Sequence, residues 1–274
     1  MSDFRLKVFQ SVAKNLSFTK ASQELFVSQP AITKHIQELE ATYQTRLFDR
    51  QGSKISLTES GRLLLEHCER ILEDYKRLEY EMHLLHNEYI GELKLGASTT
   101  IAQYVLPPLL GSFIGKFPQV NLSLLNGNSR EIEAALQEHR IDLGLVEGVF
   151  RLPNLKYTTF LEDELVAVVH SKSRLQLPEE ITPQDLPAIP LVLRERGSGT
   201  LDVIERSLQK HGVKLSSLHV LMYLGSTESI KLFLENSDCM GIVSIRSICK
   251  ELAAGTFRVV EIKDMPMLRD FCFV

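Results

Sequence analysis

The chain has 274 residues, of which 44% are hydrophobic and 24% are charged, and its formal net charge is -4. This length is typical of about two domains, and the composition excludes a disordered chain, a collagen-like chain and a disulfide knot. No apolar run approaches the roughly 20 residues that span a bilayer. The first residues lack a signal-peptide pattern, and the four cysteines (Cys68, Cys239, Cys249 and Cys272) are widely spaced. We therefore expect a cytoplasmic protein with reduced thiols and no membrane partner.

The charge is unevenly distributed along the chain. Residues 1–60 contain eight Lys or Arg and six Asp or Glu, a net charge of +2, whereas the remainder contains 23 and 29, a net charge of -6. The N-terminal part is therefore the part suited to an anionic partner. Because the excess is small, the placement of its basic residues matters more than their number.

The N-terminal segment shows three short helical patterns separated by tight breaks. The first begins near Phe4 with Asp3 as a candidate N-cap, and the second runs from residue 18 or 19 to residue 25. Ser28 is a suitable N-cap for the third helix, and Pro30 fits its first turn. Two short helices joined by so brief a turn form a helix-turn-helix unit.

The third helix has a polar face opposite its apolar face. The residues of the polar face are Gln29, Thr33, Lys34 and Gln37. Gln can contact adenine edges, Thr can contact several bases, and Lys suits a phosphate or a guanine. An ordinary solvated helix face explains the same pattern equally well.

A small hairpin is predicted directly after this helix. Ile55 and Leu57 alternate with polar neighbours, and Gln51-Gly52 is a turn signal. The predicted hairpin carries Arg50 and Lys54. A basic hairpin beside a helix-turn-helix is a wing, and wings contact the sugar-phosphate backbone.

These elements carry a resemblance to a known family. The matching residues are Ala21-Ser22, Leu25, Ser28-Gln29-Pro30-Ala31, Ile36, Leu39-Glu40, Leu47-Phe48-Asp49-Arg50, Leu57-Thr58 and Gly61. In this order and density they resemble the winged helix-turn-helix of LysR-type transcriptional regulators, and the later segments follow that family's plan. The resemblance implies a bacterial DNA-binding regulator with a C-terminal effector-binding domain, and not an enzyme.

The resemblance also implies the partner and the contacts of the N-terminal domain. The partner is double-stranded DNA at an inverted-repeat promoter site, with RNA polymerase as a further candidate partner. The expected DNA-binding residues are Ser28, Gln29, Pro30, Thr33, Lys34, Gln37, Arg50, Ser53 and Lys54. Two positions depart from the family's pattern: Gln44 stands where a Gly usually ends the recognition helix, and Ser53 stands where the wing often has Arg.

Residues 1–58 thus form the predicted DNA-binding domain, and residues 59–90 are predicted to form a linker helix. Its heptad positions are Leu64, Cys68, Ile71, Tyr75, Leu78, Met82 and Leu85. Their alternating spacings of four and three are those of a two-helix seam. A second copy of the chain is one partner for this seam, and packing on the same chain is the alternative. The resemblance implies dimers through this helix that assemble further into tetramers.

Residues 91–274 alternate strand-like runs with helical patterns, which indicates an α/β fold with parallel strands. We expect two lobes, like those of periplasmic binding proteins. Lobe I is placed at about 91–161 and 266–274, and lobe II at about 162–265. The segment 158–163 is expected to cross into lobe II, and Val259–Ile262 is expected to return toward lobe I.

Small polar residues follow several strands where helices begin, and ligands of open parallel sheets bind at such carboxyl ends. The family's cleft, carried over position by position, gives the candidate effector-binding residues Ser98, Thr99, Thr100, Asn128, Ser129, Glu147, Arg194, Ser198, Thr200 and Thr227. Hydroxyl groups with one arginine suit a small anion such as a carboxylate, a sulfur oxyanion or a phosphate ester. Arg194 could equally pair with a nearby acid.

The turn Arg196-Gly197-Ser198-Gly199-Thr200 allows three interpretations. A nucleotide loop is disfavoured because the Lys of a P-loop and the third Gly of a dinucleotide loop are absent. A small anion on backbone amides and hydroxyls, or an ordinary helix start without ligand, both fit. The sequence around it is similar to family branches linked to sulfur metabolism and carbon fixation.

The histidines and cysteines show no metal-ligand spacing, and no catalytic motif is legible. We therefore expect no metal and no cofactor. The predicted function is a sequence-specific transcriptional regulator controlled by a small anionic metabolite. The alternative is a cytoplasmic small-molecule-binding protein or enzyme whose N-terminal helices only dimerise.

Overall fold

A computed structural model of the protein describes residues 4–51, 54–86 and 89–274, with only the backbone for Arg50, Gln51 and Lys54. The chain divides into two compact units, Met1–Ile90 and Gly91–Val274. Each unit is described by itself.

Unit 1 is a winged helix-turn-helix followed by a long helix. Its elements are α1 (Phe4–Asn15), α2 (Phe18–Glu24), α3 (Gln29–Tyr43), β1 (Phe48–Gln51), β2 (Lys54–Leu57) and α4 (Glu59–Leu84). Ser28 caps α3 by accepting a hydrogen bond from the Ala31 amide, and Pro30 lies in the first turn. The predicted helix-turn-helix and hairpin are confirmed. The proposed N-cap Asp3 lies outside the described residues.

The core of unit 1 gathers apolar residues from its helices and from β1. Phe9 and Phe18 both pack against the ring of Phe48, with centroids 5.5 and 5.9 Å away. Ile32 and Ile36 bury the inner face of α3 in the same cluster. The outer face of α3 is thereby fixed toward solvent.

Helix α4 corrects one expectation about the heptad seam. Cys68 is fully buried in the core of its own chain, and its thiol donates to the Leu6 carbonyl at 3.3 Å. Burial raises the pKa of this thiol to about 11. Leu64 packs partly against the same core. The assignment of Cys68 to an intermolecular seam is therefore wrong, because the first turns of α4 cover their own domain.

The later part of α4 is different. Ile71, Leu78, Met82 and Leu85 are exposed, and Tyr75 is half-buried. The predicted interhelical contact at these positions stays a prediction.

Unit 2 alternates strands and helices as expected. Its strands are β3 (Gly91–Ser98), β4 (Val120–Gly127), β5 (Leu143–Glu147), β6 (Thr158–His170), β7 (Glu180–Ile181), β8 (Leu191–Arg194), β9 (Val220–Leu224), β10 (Met240–Ser244), β11 (Phe257–Ile262) and β12 (Met267–Phe273). Its helices are α5 (Leu106–Lys116), α6 (Ser129–Gln137), α7 (Gly199–Lys210), α8 (Thr227–Glu235) and α9 (Cys249–Ala253), with a π-helical turn at Ile101–Val105.

Residues 91–274 are all described, and their ten strands form one continuous sheet. Eight of the strands follow the order β4-β3-β5-β12-β6-β10-β8-β9, and β11 pairs with β6 and β7 beside this path. The strands β4, β3 and β5 are parallel at one end, and β10, β8 and β9 are parallel at the other. The antiparallel strands β6 and β12 lie between these two groups. The sheet therefore has two lobes joined by two crossing strands.

Of the two segments that the sequence predicts to cross between the lobes, one crosses in the structure and the other does not. The segment 158–163 does cross, as the first half of the long strand β6. Val259–Ile262 does not return the chain to lobe I, because β11 pairs with lobe II residues of β6 and with β7. The returning strand is β12, which pairs with both β5 and β6.

We expect the substitution Gln44→Gly to stabilise unit 1. Gln44 ends α3 with φ of 53°, in the left-handed region. An L-residue there costs about 1–2 kcal/mol, and glycine's larger unfolded-state entropy offsets part of the gain, so the net increase in unfolding free energy should be about 0.5–1 kcal/mol. Chemical denaturation of the full chain, followed by circular dichroism, measures this change.

The matched control is Ala41→Gly inside α3, which should lower the unfolding free energy by about 1 kcal/mol. Equal destabilisation by both glycines would contradict the proposed strain at Gln44.

Candidate functional site

The outward face of α3 presents the polar residues that the sequence singled out. Gln29, Pro30, Lys34 and Gln37 are exposed. Thr33 is half-buried, and its hydroxyl donates to the Gln29 carbonyl at 3.1 Å. The structure therefore places these side chains on one open helix face, at a helix N-terminus that suits an anionic partner.

The Gln29 side chain has a neighbour on α2. The Thr19 hydroxyl lies 3.4 Å from Gln29 Oε1, a long hydrogen bond at an exposed position. Lys34 has Glu38 within 4.0 Å on the same helix. Both contacts are solvent-exposed and weak, so neither prevents the side chains from contacting a partner.

The wing is described through its backbone. Arg50 pairs with Ile55, and Gln51 pairs with Lys54, in the antiparallel hairpin of β1 and β2. Ser53, a predicted contact, lies outside the described residues. The hairpin is anchored to α4 by Thr58, whose hydroxyl donates to the Arg46 carbonyl at 2.7 Å and accepts from the Gly61 amide at 2.9 Å.

In unit 2 the predicted effector residues converge between the lobes. Thr99 and Thr100 follow β3 in lobe I, and Arg194 ends β8 in lobe II. The Arg194 Nη2 donates to Thr99 Oγ1 at 3.2 Å, and Thr100 Oγ1 donates to Glu147 Oε1 at 3.2 Å. Ser98 is likewise buried beside them. The carboxyl ends of strands from both lobes thus meet at one place.

The guanidinium of Arg194 is divided among several partners. Its side chain is 1% exposed. It binds the Glu195 carboxylate through Nε and Nη2 at 2.8 and 3.1 Å, and Nη2 also reaches the Gly225 carbonyl at 3.3 Å. The alternative that Arg194 pairs with a nearby acid is therefore realised. Its Nη1 is buried without a hydrogen-bond partner among the described residues.

Several other predicted residues serve the fold of unit 2. Asn128 caps α6 in a capping box with Glu131. The Ser129 hydroxyl donates to the Glu147 carbonyl at 2.7 Å, and Ser198 Oγ accepts from the Thr200 amide at the start of α7. Thr227 is buried in the first turn of α8. These contacts give Asn128, Ser129 and Ser198 roles in the fold itself.

The glycine-rich turn brings the two lobes together. A Cβ on Gly199 would lie 1.9 Å from the Glu147 carbonyl oxygen, so only glycine fits there. Gly197 has φ of 91°, and its carbonyl accepts from the Arg130 amide of lobe I at 3.4 Å. Close contact between lobes explains these glycines without a nucleotide.

Sequence reasoning missed the charged pair beneath this site, Asp163 on β6 and Arg269 on β12. Arg269 Nε and Nη2 bind Asp163 Oδ2 at 2.8 and 2.7 Å, and both side chains are fully buried. Arg269 also donates to Thr200 Oγ1 at 2.8 Å and to Thr100 Oγ1 at 3.4 Å. The sequence offered one signal for this pair: each residue is a charged side chain inside a run that otherwise resembles a strand.

Three of the predicted effector residues each have a buried polar atom with no hydrogen-bond partner among the described residues: Ser98 Oγ, Glu147 Oε2 and Arg194 Nη1. All three groups connect to the segment 98–100, Glu147 through Thr100 and Arg194 through Thr99. Buried polar groups are normally paired, so each of these unpaired atoms calls for an explanation. A guanidinium nitrogen and a hydroxyl suit an oxyanion.

The ionisation of Glu147 responds to this setting. Burial raises the pKa of its carboxyl, while Arg269, Arg194 and the Thr100 hydroxyl act in the opposite direction. The raised pKa means that burial outweighs these favourable contacts.

Among the described residues, no group of three or more His, Cys, Asp or Glu is arranged to hold a metal ion. No helix in the described ranges is both long and apolar enough to cross a membrane.

Comparison with known proteins agrees with this architecture. Residues 4–62 match the lysR-family bacterial regulatory helix-turn-helix protein, and residues 86–274 match the LysR substrate binding domain. The chain is 29% identical over 269 residues to the HTH-type transcriptional regulator CysL of Bacillus subtilis (strain 168), covering 98% of this chain and 89% of CysL.

Two solved structures share the fold. The regulatory domain of Synechocystis PCC6803 CcmR in complex with 2-PG is 28% identical, with a TM-score of 0.59, covering 67% of this chain and 86% of that domain. Full-length CbnR complexed with its target DNA is 24% identical, with a TM-score of 0.63, covering 100% of this chain and 92% of CbnR.

The two matched domains together span most of the chain, in the order that the sequence predicted. The chain belongs to the LysR family of transcriptional regulators. It is therefore a DNA-binding regulator with an effector-binding domain, and not an enzyme.

We expect Arg269→Met to destabilise unit 2 strongly. The substitution leaves the Asp163 carboxylate buried with only Ser244 Oγ at 2.7 Å and Arg246 Nε at 3.5 Å. Removing one partner of a buried ion pair costs about 3–5 kcal/mol. Denaturant titration of the full chain measures this loss.

The double variant Asp163→Asn/Arg269→Met removes both charges and should recover part of the lost stability. If the double variant lost as much unfolding free energy as the two single variants lose together, the proposed coupling between the two residues would be contradicted.

Proposed function

We propose that this LysR regulator reads an inverted-repeat promoter site and responds to a small anion bound between the lobes of unit 2. The observation that carries the effector proposal is that Arg194 Nη1 and Ser98 Oγ are both buried and unpartnered, while Arg194 Nη2 donates to Thr99, the residue after Ser98. Residues 1–58 bind DNA, residues 59–90 dimerise and residues 91–274 bind the effector. The matched ranges 4–62 and 86–274 support this division.

DNA recognition is assigned to the outer face of α3. Gln29, Thr33 and Gln37 read base edges in the major groove, and Lys34 contacts a guanine or a phosphate. Ser28 and Pro30 stand at the N-terminus of the helix, where the dipole favours phosphate. The exposure of this face, against the buried face of Ile32 and Ile36, supports the assignment. The wing residues Arg50, Ser53 and Lys54 are proposed to bind the sugar-phosphate backbone of the DNA.

Dimerisation through α4 is supported by its exposed apolar residues. Leu78, Met82 and Leu85 are 53, 52 and 75% exposed, and one helix cannot bury them alone. A second α4 covers them by symmetry, and twofold symmetry matches an inverted repeat. Unit 2 has further exposed apolar residues on α5 and β9, including Leu109, Ile114 and Met222, which suit the tetramer. RNA polymerase is a further proposed partner, and the cytoplasm is the proposed location.

The anionic character of the effector is argued from charge and hydrogen bonding. Arg194 Nη1 offers a charged donor, and Ser98 offers a hydroxyl. A carboxylate, a sulfur oxyanion or a phosphate ester accepts from both. CcmR, solved with 2-PG, supports a small ligand in the corresponding domain of a relative.

We expect Gln29→Ala to relax sequence preference and Arg50→Ala to weaken all DNA binding alike. Loss of a base contact costs about 1–3 kcal/mol of discrimination, whereas loss of a phosphate contact lowers the magnitude of the salt slope by about 0.9. Fluorescence anisotropy with a promoter fragment and a scrambled duplex, at several salt concentrations, separates the two effects.

The control is Gln209→Ala, because Gln209 is exposed on a helix of unit 2. This variant should change neither the sequence preference nor the salt slope. Equal loss on both duplexes for Gln29→Ala, or an unchanged slope for Arg50→Ala, would contradict the assigned contact.

We expect sulfate, glycolate or 2-PG to raise the melting temperature of unit 2, and Ser98→Ala and Arg194→Met to reduce that rise. An anion at 100 times its Kd stabilises the folded state by about 2.7 kcal/mol. Thermal-shift titration of each anion measures the effect.

Arg206→Met is the matched control, because Arg206 is an exposed arginine on α7 outside the proposed site. The anion site is rejected if Arg194→Met and Arg206→Met respond to every anion as the unsubstituted protein does.

A further inference from the structure

The two carboxylate oxygens of Glu147 have different surroundings. Glu147 ends β5, and its side chain is 2% exposed. Its Oε1 accepts from Thr100 Oγ1 at 3.2 Å and lies 3.5 Å from Arg269 Nη1. Its Oε2 is buried and has no hydrogen-bond partner among the described residues. An ionised carboxylate would leave this oxygen's lone pairs unsatisfied, which is costly in a buried place.

The cations that face Glu147 are bound more closely to other acids. On β12, Arg269 makes contacts of 2.7 and 2.8 Å with Asp163, compared with 3.5 Å to Glu147. On β8, Arg194 forms a bidentate pair with Glu195. Each arginine is therefore paired mainly with an acid other than Glu147.

The other elements around Glu147 contribute one acid and otherwise uncharged groups. On β6, Asp163 is a second acid that acts against ionisation of Glu147. Helix α7 contributes Gly199 against the Glu147 carbonyl and the neutral Thr200 beside Arg269. Thr100, which follows β3, is uncharged, and its hydrogen bond to Oε1 lowers the pKa of Glu147 without outweighing burial. Burial raises the pKa of Glu147 in this setting, which makes protonation of its carboxyl easier than in an exposed glutamate.

Arg194, a proposed partner of the anion, is near enough for its charge to act on the carboxyl of Glu147. The anion's partners, Ser98 and Arg194, border the same segment 98–100 that Glu147 contacts through Thr100. An ionised Glu147 would repel the anion, whereas a protonated Glu147 could donate a hydrogen bond to it.

We propose that Glu147 binds the effector as a neutral carboxylic acid, donating Oε2–H to an oxygen of the anion, so that the site takes up a proton together with the anion. This rests on the proposed function, in which an anion occupies the site. The oxygen that meets Glu147 must be an acceptor, as in a carboxylate, a sulfate or a fully ionised phosphate ester. No bond other than the hydrogen bond forms, and the proton comes from solvent.

The proposal gives binding a defined dependence on pH. A bound anion makes ionisation of Glu147 less favourable, so binding takes up a proton wherever the free carboxyl is ionised. Affinity should then fall as pH rises, by up to about tenfold per pH unit for one proton. Below the pKa of the free carboxyl, affinity should be constant.

Isothermal titration calorimetry of the full chain with sulfate and with glycolate tests this. Both probes keep a constant charge through the neutral range, so a proton taken up must come to the protein. Titrations in two buffers of different ionisation enthalpy give the number of protons bound per anion. We expect uptake that approaches one proton as pH rises and an affinity that falls with pH.

Glu147→Gln is the decisive variant. Its amide oxygen can accept from Thr100 while its N–H donates to the anion, so the variant imitates the protonated acid. We expect it to bind both probes with no proton uptake and with an affinity that does not vary with pH. Its thermal melting without anion verifies that it folds.

The outcomes separate this inference from the proposed function. Binding without proton uptake by the unsubstituted protein would overturn the role of Glu147 and leave the anion site standing. The same holds if Glu147→Gln folds but loses binding, since a neutral donor at this position would then be insufficient. Failure of both probes to bind the unsubstituted protein would overturn the anion site, and this inference with it.

Discussion

The buried ion pair between Asp163 and Arg269 is the interaction on which the effector domain depends. The two residues face each other on β6 and β12, the strands that join the lobes. A guanidinium in the middle of a sheet must satisfy its remaining donors, and Arg269 does so with Thr100 from lobe I and Thr200 from lobe II. One side chain thus fixes the crossing strands and the first residues after two strand ends. Because an apolar pair of similar size could be equally stable, we attribute its importance to geometry and not to net stabilisation.

The sequence was most informative where structure is local. The cap at Ser28, the brief turn before α3 and the alternation at Ile55 and Leu57 each depend on residues a few positions apart. They therefore predicted the winged helix-turn-helix closely. The strand ends at Ser98 and Arg194 were also predictable, because a short apolar run followed by small polar residues has a local signature.

Long-range pairing was not predictable in the same way. Asp163 and Arg269 are 106 positions apart, and no spacing rule connects them. The register that makes β12 the returning strand, and leaves β11 in lobe II, is likewise set by contacts distant in sequence. Cys68 shows a different difficulty, since spacings of three and four describe both a helix seam between chains and a helix face in its own core. Only the tertiary contact with Leu6 distinguishes them.

The lobes of unit 2 contact each other directly in several places. Arg194 bonds to Thr99, the Arg130 amide bonds to Gly197, and the Tyr104 hydroxyl bonds to Glu228. An effector therefore need not create contact between lobes. It can change the balance between arrangements of the lobes only through the free energy by which it prefers one of them. In this arrangement the buried, unpaired polar atoms Ser98 Oγ, Arg194 Nη1 and Glu147 Oε2 can supply such a preference. A ligand that satisfies all three favours this arrangement, and one that merely fills space does not.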